Sequence, residues 1–180
     1  MVEVRGAAQP TSLRPFGTLQ EQAEMQQAWL RKRLETFLPA LMRKHGVDLW
    51  IVPMREYNED PIFPAVTSPE TFAARRRTIY VLFDKCAATG QAPGAACVER
   101  IALGGTSQGG VWTARRSTKP VAAAVGWRQA ELWGDEQWQA LKQLVEEKNP
   151  KVIGINRSKV FAFNDGLSSG ELLGMSEALG

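Results

Sequence analysis

Histidine is nearly absent from this chain: 180 residues contain one, His45, and only two cysteines, Cys86 and Cys97. Centres that need two or more imidazoles are excluded from the sequence. No CxxC or HExxH spacing occurs, so a thiolate or zincin-type metal site has no motif here. GxGxxG and GxxxxGK[ST] are missing as well, and with them the signature of a glycine loop that cradles phosphate. Long apolar runs are also lacking; none approaches the roughly 20 residues of a membrane-spanning helix. Residues 1–17 carry Pro10 and Pro15 but no apolar core, and read as a flexible leader, not an intact signal peptide. A cytoplasmic protein and an exported one after signal removal would both look like this, so the compartment stays open.

Strong charge of one sign is absent too. Lys and Arg number 22 against 19 Asp and Glu, a net charge of +3 that is only a weak bias. The basic groups Arg31-Lys32-Arg33, Arg75-Arg76-Arg77 and Arg115-Arg116 are scattered and read as solvated faces, with no nucleic-acid signature around them. What the chain does have is an ordinary globular composition, 44% hydrophobic and 23% charged, enough to bury one domain's core.

Periodicity places the elements. Leu30, Leu34, Phe37, Leu38 and Leu41 share one helical face between Leu19 and His45, with a kink or break expected near Glu35 to Leu38 because Pro39 lacks an amide donor. Gly46 ends that helix after Arg43, Lys44 and His45, cations suited to a helix C-terminus. Asp48 to Pro53 reads as a buried strand, Met54 to Thr67 as an irregular charged stretch, and Ser68-Pro69-Glu70 as the start of a short helix to Arg75. Thr78 to Phe83, Val98 to Leu103 and Val111 to Ala114 read as further strands. Asp135 to Lys148 is helical, Lys151 to Asn156 a fifth strand, and Ser168-x-x-Glu171 a capping box opening a last helix. The order is that of a mixed α/β domain with hairpins in its middle.

Few residues carry chemistry. Gly105-Thr106-Ser107-Gln108-Gly109 fits the G-x-S-x-G nucleophile elbow. A strand follows it, however, and no histidine lies downstream, so a glycine-rich hairpin turn accounts for it better. His45 reads as a helix-end or exposed residue. Arg55, Glu56, Tyr57, Asn58, Glu59 and Asp60 form a charged loop beyond the first strand, where ligand contacts often lie; a merely solvated loop is the competing reading. Cys86 and Cys97 flank a small-residue loop: they face each other across a hairpin base, or they are two unrelated thiols. Asn156-Arg157-Ser158 is formally a glycosylation sequon. Of the six tryptophans, Trp112, Trp127 and Trp133 fall near element edges, where exposure would leave an apolar interface.

The wording of several segments is familiar. LRKRLETFLPALMRKHGVDLWIVP, MREYNEDPIFPAVTSPETFAARRRTIYVLFD, VERIALGG and NPKVIGINRSKVFAFNDGLSSGEL together resemble the N-terminal domain of the creatinase/prolidase/Xaa-Pro aminopeptidase family, the pita-bread metallopeptidases. The likeness runs from about Leu13 to Gly180. It implies a mixed sheet flanked by helices, of the ribonuclease H-like kind, over residues 18–180. It also implies a C-terminal catalytic domain of the same polypeptide, outside this chain, in which two Asp, one His and two Glu hold two divalent metal ions (Mn, Co or Zn). No catalytic or metal-ligating residue is carried over to this chain. The resemblance implies an accessory role: shaping the access of short peptides, with Arg55, Glu56, Tyr57, Asn58 and Asp60 as the access loop, and making homo-oligomer contacts. Neither nucleic acid nor membrane is an expected partner. A stand-alone peptide-binding or assembly module is the alternative. Many family members have a short connection after the first strand where this chain has the longer Met54 to Thr67 stretch.

Overall fold

A computed structural model describes residues 15–119 and 131–180. Most of the expected leader and Trp127 lie outside the described residues.

The first helix, α1 (Leu19–Lys32), starts at a full capping box. The Thr18 hydroxyl accepts from the Glu21 amide at 3.2 Å, and the Glu21 carboxylate accepts from the Thr18 amide at 2.6 Å. The disturbance expected from Pro39 takes the form of a π-turn over Arg33–Phe37, with the Leu38 amide reaching back to the Arg33 carbonyl. Proline cannot donate to the carbonyl four residues before it, and its ring crowds that group. The wider turn absorbs both problems, and the helix resumes as α2 (Leu38–His45). Gly46, at φ +64°, takes the left-handed conformation that closes α2.

The molecule is α/β, with a mixed five-stranded sheet flanked by helices. β1 (Leu49–Met54), β2 (Thr78–Asp84) and β3 (Val98–Leu103) form an antiparallel meander. The outer strands β4 (Thr113–Arg115) and β5 (Ile153–Ile155) pair in parallel with β3 and β1, giving the order β4-β3-β2-β1-β5. The central strands are buried on both faces, as their nearly continuous apolar runs require. Val52, Met54, Tyr80 and Leu82 pack towards α1 and α2. Leu49, Ile51, Ile79 and Val81 face the other way, against α4 (Asp135–Lys148) and α5 (Ser169–Leu179).

Two expectations are corrected. Ser68 to Arg75 is not helical; the short helix lies just before it, as α3 (Phe63–Val66). Tertiary hydrogen bonds outcompete the local helix signal there. The Ser68 amide donates to the Gln108 side chain at 2.8 Å, and the Ala74 amide to the Glu59 carboxylate at 3.0 Å. The Arg75 carbonyl accepts from Glu56 at 2.6 Å, with Arg75 itself at φ +56°. The second correction concerns Gly105 to Gly110, which is no hairpin turn, because β3 and β4 run parallel. Gln108 explains the detour: it is buried, at φ +49°, donates to the Tyr80 hydroxyl at 2.7 Å and draws the loop across the core. Val111 and Trp112, expected in β4, instead fill the core beside Tyr80.

Candidate functional site

Beyond the carboxyl ends of the parallel strands β1 and β5 lies the part of an α/β sheet where ligand sites gather. A polar knot holds it together. Trp50 of β1 donates its indole N–H to Asn156 Oδ1 at 2.8 Å, and Asn156 Nδ2 donates to Asp60 Oδ2 at 2.9 Å. The other oxygen of Asp60 accepts from the Ile62 amide at 2.9 Å, and Asp60 is only 2% exposed. A buried carboxylate is tolerated because donors meet both of its oxygens. The Asn156 carbonyl accepts from the Leu167 amide at 3.0 Å, which brings Gly166 against Asp60.

A second cluster adjoins the base of the same loop. Glu171, at the start of α5, is 3% exposed and pairs with Arg77 Nε at 3.0 Å and Arg55 Nε at 3.6 Å. The Arg77 guanidinium also lies 4.5 Å from the Trp138 ring centre, a cation–π contact joining the residue before β2 to α4. Ser168 does cap α5, its hydroxyl accepting from the Glu171 amide at 3.3 Å. The carboxylate half of the expected capping box instead serves the two arginines. Arg77 is therefore a half-buried structural cation and not part of a solvated basic face.

The expected access loop divides in two. Tyr57 is 95% exposed at φ +68°, and Arg55, Glu56 and Asn58 are exposed beside it. An Arg55–Asn58 bridge and the Asn58 amide's bond to the Arg55 carbonyl, 3.0 Å, close this tip into a tight turn. Asp60 points inward and anchors it. The tip offers a phenol and a guanidinium on a fixed backbone, while the buried carboxylates are spent on holding that backbone in place.

Trp50 and Gly166 carry no chemical signature in the sequence, where Arg77 reads as one of a basic triplet and Glu171 as half of a capping box. Asn156 reads in the sequence as a strand end and a sequon, and in the fold its amide is committed to Trp50 and Asp60.

Elsewhere, Ser107 is exposed in the β3–β4 loop, which leads into a strand and not into a helix as an elbow requires. His45 is exposed at the end of α2. Trp112 is buried, and Trp133 is 54% exposed under the Arg76 guanidinium, 4.8 Å from its ring centre. Cys86 and Cys97 are joined by a disulfide at the base of the β2–β3 hairpin.

Among the described residues, Asp84, Cys86 and Cys97 bring their potential metal donors within 4.8 Å of one another. They do not fit a pair of divalent ions, because both sulfurs are consumed in the disulfide. The Asp84 carboxylate meets Arg43 at 2.7 and 3.1 Å, hydrogen bonds that raise the arginine's pKa. No helix among the described residues is long and apolar enough to cross a membrane. Comparison with protein-family models, curated proteins and solved structures finds no match for this chain.

Proposed function

We propose that the chain is a non-catalytic accessory domain of an Xaa-Pro aminopeptidase-like metallopeptidase, whose loop from Arg55 to Asp60 narrows the path of short peptides to a neighbouring active site. The observation that carries this reading is the loop itself, with Tyr57 95% exposed on a backbone fixed by the 2% exposed Asp60. Such a rim selects by shape without reacting. The sheet supports the ribonuclease H-like assignment: an antiparallel β1-β2-β3 meander is followed, after the short edge strand β4, by α4 and then β5, parallel to β1. In this reading the two divalent ions belong to the catalytic domain of the same polypeptide, and the parent is a homo-oligomer.

Two experiments test it. The native reading frame beyond Gly180 should encode the ligand-bearing half, and a stop codon there sinks the proposal. In that full-length protein, Arg55→Ala/Tyr57→Ala should raise KM for short Xaa-Pro peptides about three- to tenfold and relax length selectivity, with kcat nearly unchanged. Unaltered length selectivity would remove the access role.

A stand-alone peptide-binding or assembly module is the second reading. It is favoured by Val160, Phe161 and Phe163, which are 95%, 58% and 64% exposed in one short segment.

A further inference from the structure

β5 is a sheet edge. The hydrogen bond from the Leu49 amide to the Val152 carbonyl, 3.2 Å, fixes the phase of the β1–β5 ladder. Val152 and Gly154 turn their backbone towards β1, so Ile153 and Ile155 turn theirs outward. The Arg157 amide takes up the Ile155 carbonyl at 3.1 Å. Among the described residues no strand pairs with the outward groups of Ile153 or with the Ile155 amide. The edge carries no proline to deter pairing. Val152 and Ile153 are 47% and 38% exposed. On the α2 side, Gly154 borders a largely apolar hollow of about 200 Å³ lined by Leu38, Leu41, Val47 and Trp50, with His45 at its wall.

Charge says what fits there. Lys151 precedes the strand, Arg157 and Lys159 follow it, and none has a carboxylate within ion-pair distance among the described residues. The nearby acids are engaged by backbone amides, although Asp165 stays exposed and Asp48 half-buried. Asp48 accepts from the Lys151 and Val152 amides at 2.8 and 3.2 Å, and Asp165 from the Ser158 amide at 3.0 Å. A second copy of β5, paired antiparallel about Gly154, would set Lys151 against Arg157 at both ends, a like-charge opposition that disfavours self-pairing.

We propose that the outer edge of β5 is a strand-addition site for an extended segment of a partner protein, apolar at alternate positions and bearing carboxylates at its ends. The partner's backbone satisfies Ile153 and Ile155, its apolar side chains enter the Trp50 hollow, and its acids meet Lys151 and Arg157. This surface adjoins the Trp50–Asn156–Asp60 knot, but the proposal does not rest on the access-loop reading.

The probes are two synthetic peptides with the same alternating Val/Thr core, one flanked by glutamates and one by lysines. With the intact 180-residue chain, the glutamate peptide should bind about three- to tenfold more tightly at low salt. It should also slow amide hydrogen exchange at Ile153 and Ile155 at least about tenfold. The surface variant Lys151→Glu/Arg157→Glu should reverse the preference while leaving the melting temperature near wild type. Equal affinity of both peptides, binding without protection of those two amides, or a concentration-dependent dimer that protects them would each overturn the proposal.

Discussion

An alanine at position 166 would push its Cβ into the Asp60 carboxylate and to within 2.7 Å of Pro61 Cδ. Both neighbours are fixed, since Asp60 holds Asn156 and the Ile62 amide, so the overlap has no flexible chain end to relieve it. Gly166→Ala should therefore destabilise the chain by about 1–3 kcal/mol in urea unfolding. Combining it with Asp60→Ala should cost about 1 kcal/mol less than the sum of the two single changes. Simple additivity would show that the Asp60 contact is not the cause. At this scale the sequence was only partly legible. Asp60 stood out as a loop acid, yet nothing local distinguished it from Glu56, which stays in solvent. Burial of one and exposure of the other follow from where Asn156 arrives, 96 residues downstream.

At the scale of elements, the hairpin joining β2 to β3 is closed by backbone and by covalent bond. The Lys85 amide meets the Cys97 carbonyl at 2.9 Å, and the disulfide spans a sequence separation of 11. A closed loop of that length restricts the unfolded chain by about 3 kcal/mol in the chain-entropy description. Reduction should lower the urea midpoint accordingly, and Cys86→Ser/Cys97→Ser should behave like the reduced protein. An unchanged midpoint on reduction would falsify a stabilising role for the bond. Elements with strong local signals were legible: α4 spans Asp135–Lys148, the same residues that read as helical in the sequence. Ser68 to Arg75 was not, although it bears a helix-start sequence, because its amides are claimed by Gln108 and Glu59.

For the whole molecule, stability should depend on alkaline pH through Tyr80. Its ring packs in the α1/α2-side core at 4.6 Å from Trp112, and burial pushes its phenol up to about 12, against a smaller opposing pull from the Gln108 hydrogen bond. An unfolded tyrosine ionises near 10. Between those values the unfolded chain sheds a proton that the folded one retains, so rising pH favours unfolding. The contribution is intact below about pH 10, and about 2–3 kcal/mol of it is lost by about pH 12. Urea titrations at pH 9 and pH 11 should show the decline, and Tyr80→Phe should flatten it; an equal slope in the variant would assign the loss to other groups.

The sequence by itself determined the class of this fold. Apolar runs of strand length alternate with helical periodicities, and each such pattern has one way to bury its apolar side. The scarcity of histidine was equally a property of the sequence alone. Tertiary structure decided the rest. The direction of β4 depends on a buried glutamine that carries the preceding loop across the core, and the fate of Ser68 to Arg75 depends on acceptors supplied by distant segments. The candidate site depends on a tryptophan, an asparagine and an aspartate that meet only once β5 lies beside β1. Local patterns record what a segment must bury. The partner that satisfies a buried polar group comes from elsewhere in the chain, and only the folded structure brings the two together.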